Sequence, residues 1–331
     1  MLNRLDDFVE ERRISQHYRN DKRGHSLRLK RRELSPPRRM TGRERRWLDP
    51  NKGFLKLLER RIDLVMSRFV YPHLFGLWNP YSWLLVRRFS LAEISVSPTG
   101  WPGGVPPLKV LLISDIHTGT FLKPEVLSEI IDCLMELEPD LVAVAGDIVT
   151  GQPSDLDGFL SLLAPLSHAS LGAWYCYGNH DYFGGDPEDI RKALSSIGIS
   201  TLKNESVSLA HGNGNFVLGG IDDRILGEPD WDRLLSKHGP PHLLLAHNPD
   251  FFYEAEARGV PLTLSGHTHG GQIRLTNGPP IIRQSRFCLD EGAYAFCSSL
   301  LIVSRGLGSV GLPFRYGADP EAILIEILPP R

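Results

Sequence analysis

Five short stretches of this chain end in side chains that bind metal ions. Asp115 and His117 lie two apart, and Asp147 follows Gly146. Asn179, His180 and Asp181 follow Gly178; His247 stands alone; His267 and His269 flank Thr268 after Gly266. Of the 12 histidines in the chain, five belong to this set. Carboxylate, imidazole and amide oxygen together suit borderline divalent ions such as manganese, iron or zinc better than calcium or magnesium. A carboxylate shared by two such ions, about 3.5–4 Å apart, describes a hydrolytic centre. There a water loses its proton near neutral pH, attacks phosphorus in line, and leaves the phosphate charge to be neutralised by both cations. This chemistry requires no serine or cysteine nucleophile.

A lone D-x-H, or a lone His after a strand, is usually a turn or a satisfied core residue. The weight here comes from the set. Each motif closes a short apolar run, at residues 108–114, 141–145, 173–177, 242–246 and 262–265. Runs of this length and texture are expected of strands buried on both faces. Ligands of open α/β sheets gather at the carboxyl ends of strands, so side chains scattered along the chain can converge there. Between the first two runs, residues 123–138 have helical periodicity, with Pro124 near the start and Pro139 just past the end. Residues 186–198 predict a second helix, and 207–209, 216–221, 295–304 and 322–327 predict strands. The order implies two packed sheets with helices outside, an α/β fold. Glycine beside a ligand, as in G-N-H-D and G-H-x-H, lets the backbone turn without a side-chain clash.

Charge divides the chain. Residues 1–90 carry 22 Lys+Arg against 10 Asp+Glu, and the remainder carries 15 against 29, although the net charge is only -2. Residues 1–61 therefore read as a basic, partly mobile arm, residues 62–88 as an apolar aromatic-rich segment, and residues 89–331 as the catalytic domain. Within the second region, residues 69–86 contain no charged side chain. Pro72, Asn79 and Pro80 interrupt any spanning helix, while Tyr71, Trp78, Tyr81 and Trp83 suit the headgroup level of a membrane. Flanking Arg60, Arg61, Arg68, Arg87 and Arg88 would add attraction to anionic lipid. The expectation is interfacial anchoring; packing over the catalytic domain is the alternative. The N-terminal region is too charged for a secretory signal, and Cys133, Cys176, Cys288 and Cys297 form no C-x-x-C pair. Free, buried thiols in a cytoplasmic protein, peripheral on the inner face of the cell membrane, are expected.

The order D-x-H, G-D, G-N-H-D, H, G-H-x-H resembles the calcineurin-like metallophosphoesterase superfamily. The stretches 266–275 and 304–308 are similar to its YkuE-type bacterial phosphoesterases, and the resemblance covers about residues 89–328. It implies a four-layer α-β-β-α sandwich and two divalent ions, manganese being the preferred occupant. By this resemblance Asp115, His117, Asp147 and His269 hold one ion. Asp147 as bridge, with Asn179, His247 and His267, holds the other. His180 stays off the metals, stabilising the transition state or protonating the leaving oxygen, and Asp181 orients it. One departure is Thr150, where many relatives carry a second Asp three residues after the G-D aspartate; it puts the support of that loop in question.

One branch of the superfamily hydrolyses UDP-2,3-diacylglucosamine at the inner membrane. A basic arm and an apolar segment beside the catalytic domain fit a phosphorylated, lipid-bearing substrate and an anionic membrane surface. A nuclease is disfavoured because the acidic catalytic part repels a polyanion, and a non-catalytic adaptor because every ligand is present. Arg305 and Arg315 are candidates for a substrate phosphate, with surface ion pairing as the plainer role. Asp222, Asp223 and Arg224 either border the pocket or form a turn, and His211, His238 and His242 read as surface or core residues.

Overall fold

The computed structural model describes residues 32–33, 89–119, 121–274, 279–312 and 314–329. The expected interfacial segment 62–88 and nearly all of the arm 1–61 lie outside the described residues. From the arm, strand β1 (Arg32–Glu33) pairs in parallel with Tyr294 and Ala295.

Two mixed sheets carry the catalytic domain. One orders β2 (Ser90–Val96), β13 (Glu321–Ile327), β3 (Leu108–Ile113), β4 (Leu141–Ala145), β5 (Ala173–Cys176) and β6 (Ile199–Thr201). The other orders β1, β11 (Gly292–Phe296), β12 (Ser299–Val303), β10 (Leu262–Ser265), β9 (Leu243–Leu245), β8 (Gly214–Gly220) and β7 (Glu205–His211). β3, β4 and β5 are mutually parallel, as are β9 and β10, so each group delivers its following loops to one edge.

Period-two alternation explains the layers. Leu108, Val110 and Leu112 of β3 join Leu243, Leu245, Leu262, Leu264 and Ile302 in the core between the sheets. The intervening Leu111 and Ile113, with Val142 and Val144, face the helical layer. That layer begins with α1 (Pro124–Met135), whose Leu127, Ile130, Ile131 and Leu134 are buried at helical spacing. Pro124 opens it, where a missing N–H costs nothing. After the short α2 (Leu160–Leu163), α3 (Pro187–Ser196) is capped by Asp186, whose carboxylate accepts from the Glu188 N–H at 2.9 Å; it buries Ile190 and Leu194 on the same side. Over the far face of the other sheet, α4 (Trp231–Leu235) and α5 (Phe252–Glu256) contribute Trp231, Leu234 and Ala255 to a cluster with Leu244 and Ala246. The result is the expected four-layer α-β-β-α sandwich.

Two expectations need correction. The run 295–304 is not one strand but the hairpin β11–β12, its turn closed by Cys297 with φ 49°. All four cysteines are free as expected, but only Cys176 is buried; Cys133 is half-buried, and Cys288 and Cys297 are exposed because both lie at turns outside the strands.

Candidate metal centre

The strand ends bring the candidate ligands together. Asp115, His117 and His269 form one group of mutually close donor atoms, and Asp147, His247 and His267 form another. Asp147 lies between them: its Oδ2 is 3.8 Å from His117 Nε2 and 3.2 Å from His247 Nε2. That is the position a bridging carboxylate needs. His117 Nε2 and His269 Nε2 are 3.1 Å apart, His269 Nε2 and Asp115 Oδ1 3.5 Å, and His267 Nδ1 and His247 Nε2 3.3 Å. Asp115, His117, Asp147, His247 and His269 are essentially removed from solvent, and Asn179, His180 and His267 are only slightly open.

The local backbone is unusual. Asp115, His117, Asp147, His267 and His269 all have positive φ, between 49° and 72°. For residues other than glycine this costs on the order of 1–3 kcal/mol each and persists only where the surroundings enforce it. Here the enforcement is a set of bonds continuing past the strand ends. The Asp115 N–H donates to Gly146 O at 3.0 Å, the His117 N–H to Asp147 O at 3.1 Å, and the Gly266 N–H to His247 O at 3.0 Å. Two glycines make room for the carboxylates. A Cβ on Gly178 would stand 2.2 Å from Asp147 Oδ1 and 2.6 Å from its main-chain nitrogen, and one on Gly266 would stand 2.3 Å from Asp115 Oδ2.

The donor set fits a pair of divalent cations. His247 Nδ1 lies 2.8 Å from Ala145 O, which takes the ring N–H and leaves the Nε2 lone pair toward Asp147. The amide oxygen of Asn179 is buried and has no hydrogen-bond partner, an arrangement that is expensive unless a cation completes it. Without a cation the charges are in tension. Burial pushes the Asp115 carboxyl up to about 6. Burial also acts to raise Asp147, but His247, His180 and His117 outweigh it and hold that carboxyl well below the usual range. Against its own burial, His247 is raised to about 10 by Asp147. His117 and His269 are pushed well down, by burial first and then by neighbouring cationic groups.

His180 is held from two directions. Its N–H donates to Asp147 Oδ1 at 2.8 Å, and its ring Nδ1 meets Thr150 O at 2.6 Å. The Nδ1–H therefore donates to that carbonyl, and Nε2 is left for chemistry. The expected orienter, Asp181, does something else. It accepts from the N–H groups of Asp147, Ile148 and Gly178 at 3.1, 3.1 and 2.7 Å, and from the Tyr175 hydroxyl. It does not touch the His180 ring; it pins the loop that carries Asp147, and burial pushes its carboxyl up to about 7. At the position of the missing second Asp, the main-chain carbonyl of Thr150 holds His180 and its hydroxyl donates to Thr118 O at 2.8 Å.

Of the two candidate arginines, Arg305 takes the plainer ion-pairing role and Arg315 takes neither expected role. Arg315 is buried, its guanidinium donating to the carbonyls of Gly308, His269 and Ala318 and lying 2.9 Å from His269 Nδ1, so it fixes a ligand loop instead of holding substrate. Arg305 pairs with Glu321 at 3.0 Å. Asp222 and Asp223 organise a turn, accepting from the N–H groups of Glu228, Ile225 and Leu226. His211, His238 and His242 are not among the metal-binding groups of the described residues.

Two parallel-strand edges that set buried His, Asp and Asn donors around a shared carboxylate, Asp147, describe a dinuclear metallohydrolase. The sequence profile of the calcineurin-like phosphoesterases matches residues 108–271. The metallophosphoesterase YkuE of Bacillus subtilis is 34% identical over 233 residues, 68% of this chain and 81% of that protein. The phosphodiesterase YaeI of Escherichia coli is 33% identical over 229 residues, 67% of this chain and 83% of its own length. The chain belongs to the calcineurin-like phosphoesterase family and is a metallophosphoesterase. Among solved structures, a dimetal phosphatase from Danio rerio overlays with a TM-score of 0.36 at 14% identity, covering 61% of this chain and 88% of that one.

Proposed function

We propose that this enzyme cleaves a phosphodiester or pyrophosphate in a lipid-linked substrate, with UDP-2,3-diacylglucosamine as the chemical type. The observation that carries the hydrolytic part is Asp147, set between two donor groups, and the buried Asn179 oxygen without a hydrogen-bond partner adds to it. Asp115, His117, Asp147 and His269 would hold one cation, and Asp147, Asn179, His247 and His267 the other. Manganese suits this mixed donor set. Two such cations supply an acidified water and neutralise phosphate charge.

The chain's own residues do the rest. Asp181 and Thr150 hold the Asp147 loop and the His180 ring, so the ring needs no reorganisation during the reaction. With its Nδ1–H on Thr150 O, a His180 ring protonated at both nitrogens would stabilise the transition state or give its Nε2 proton to the leaving oxygen, a role worth about 10²–10⁴ in rate. The lipid part rests on the uncharged aromatic stretch 69–86 between basic flanks. The relationship to the phosphodiesterase YaeI supports the diester reading.

Manganese-reconstituted protein is expected to hydrolyse bis-p-nitrophenyl phosphate, with His180→Ala and Asn179→Ala losing most of that activity. UDP-diacylglucosamine in mixed micelles tests the substrate: turnover no greater than that of Asn179→Ala would sink the lipid reading while leaving the diesterase intact.

A further inference from the structure

The turn that carries Asn179 and His180 ends in Tyr182, whose side chain reaches across to the opposite sheet. The turn follows β5, and its bonds to Asp147 and Thr150 stay on the side of the sheet that contains β3, β4 and β5. The Tyr182 hydroxyl donates instead to Asp222 Oδ1. Asp222 follows β8 in the other sheet. There β8 runs parallel to β9, with Gly220 opposite Leu245 and the Ile221 N–H donating to Leu245 O at 3.1 Å. Asp222 therefore stands at the strand end next to the one that leads to His247. The Tyr182–Asp222 bond crosses the seam beside the proposed second ion site.

The acceptor is held firmly. Asp222 is buried, and its carboxylate also accepts from the Asp223 and Glu228 N–H groups, each at 2.8 Å. Its own N–H donates to Asn204 Oδ1 at 2.9 Å. Gly227 packs so closely that a Cβ there would stand 2.6 Å from the carboxylate. Lys203 closes the outer side, its Nζ 3.6 Å from Asp222 Oδ2 and 5.4 Å from the centre of the Tyr182 ring. A hydroxyl donating to a carboxylate is among the stronger hydrogen bonds. Other ligand loops are joined across the same seam: the His267 N–H donates to the Asp115 carboxylate at 3.0 Å, and the His247 ring to Ala145 O at 2.8 Å. Those bonds run through the ligands themselves. The Asn179 side-chain oxygen has no hydrogen-bond partner, so Tyr182, three residues on, seats its turn against the opposite sheet.

We propose that the Tyr182–Asp222 bond sets the spacing between the Asn179 turn and the strand ends that lead to His247 and His267. Tyr182 and Asp222 are then positioning residues for the second cation and for His180. The inference rests on the ligand role of Asn179 and the part taken by His180 in the reaction. Tyr182→Phe in the full chain removes one hydroxyl and keeps the ring. Calorimetric titration with manganese is expected to show one of two ions bound about tenfold more weakly. The kcat for bis-p-nitrophenyl phosphate should fall about tenfold or more with KM little changed, since an ångström of misplacement costs about a hundredfold. Tyr177→Phe is the comparison. Its hydroxyl donates to Pro187 O at 3.1 Å, away from the seam, and its ring packs on Tyr182 at 5.7 Å. Both variants lose a hydroxyl bond from one aromatic cluster, so a merely structural role predicts the same effect from each. Tyr177→Phe should lower the melting temperature and keep wild-type manganese binding and kcat.

Wild-type manganese affinity and kcat in Tyr182→Phe overturn the proposal, as do equal losses in the two variants. An Asn179→Ala protein that still binds two manganese ions at wild-type strength would instead refute the ligand assignment, so the two failures are distinguishable.

Discussion

Gly178 separates the reasoning about the metal centre from a simple inventory of ligands. Its substitution by Ala adds one carbon atom that would sit 2.2 Å from Asp147 Oδ1 and 2.6 Å from Asp147 N. Ordinary contact for such pairs begins near 3.4 Å, so something must give by about an ångström. The Asp147 nitrogen is itself bonded to Asp181, and its loop is anchored through Ile148 and Thr118, so neither side moves freely. Overpacking of this kind typically costs about 1–3 kcal/mol of stability. The functional cost should be larger in proportion. An ångström of misplacement at a reacting centre is worth about a hundredfold in rate, and Asp147 belongs to both proposed ion sites. Steady-state hydrolysis of bis-p-nitrophenyl phosphate, manganese titration and thermal melting together read the effect. Gly178→Ala is expected to lower kcat/KM about a hundredfold and weaken metal binding, while the melting temperature falls only a few degrees. Gly103→Ala, with nothing within 4 Å, is the control and should match wild type. Wild-type activity and metal content in Gly178→Ala would show that close approach at this strand end does not position the bridge.

Two further outcomes follow from the buried charges. Asp115 is raised from 3.8 to about 6. In metal-free protein its stabilising contribution is therefore complete below about pH 4 and is lost as pH rises through about 6. A cation needs the carboxylate form, so proton competition at this one residue weakens binding roughly fourfold at pH 5.5 relative to pH 7.5. His247, raised to about 10, acts in the same direction. The manganese-induced rise in melting temperature should accordingly be larger at pH 7.5 than at pH 5.5; an equal or reversed difference refutes the ligand assignment. Asp181→Asn places an amide N–H₂ or loses an acceptor among several donors, so it should cost about 1–3 kcal/mol and lower the melting temperature. The pH dependence of kcat should stay where it was, because Thr150 and not Asp181 meets the His180 ring. A shifted profile with normal stability would restore Asp181 to an orienting role.

Much of this site was legible because its strands are buried on both faces. Runs such as 141–145 and 243–245 then carry unbroken apolar sequence, and the ligands mark where each run stops. Turn chemistry was less visible. The β11–β12 hairpin turns through Cys297 without a glycine or proline at the turn, so 295–304 reads as one strand. The left-handed backbone at Asp115, His117 and Asp147 leaves no compositional mark, since those positions hold the residue that chemistry needs and not the one that backbone preference would choose. The partner of His180 is a main-chain carbonyl, which every residue possesses, so only the fold reveals that Thr150 provides it. Arg315 was misread because a guanidinium is normally at the surface; here five carbonyl and ring contacts repay its burial.

The ligands are divided between the two halves of the sandwich. β3, β4 and β5 lead to Asp115, His117, Asp147 and Asn179, whereas β9 and β10 lead to His247, His267 and His269. Neither sheet holds all of the ligands proposed for either cation. Cations bound here act as a clasp across the seam, and any sliding of one layer over the other dismantles both ion sites at once. Catalytic competence thus reports on the docking of the whole sandwich, so a chain with only one sheet formed is silent as an enzyme.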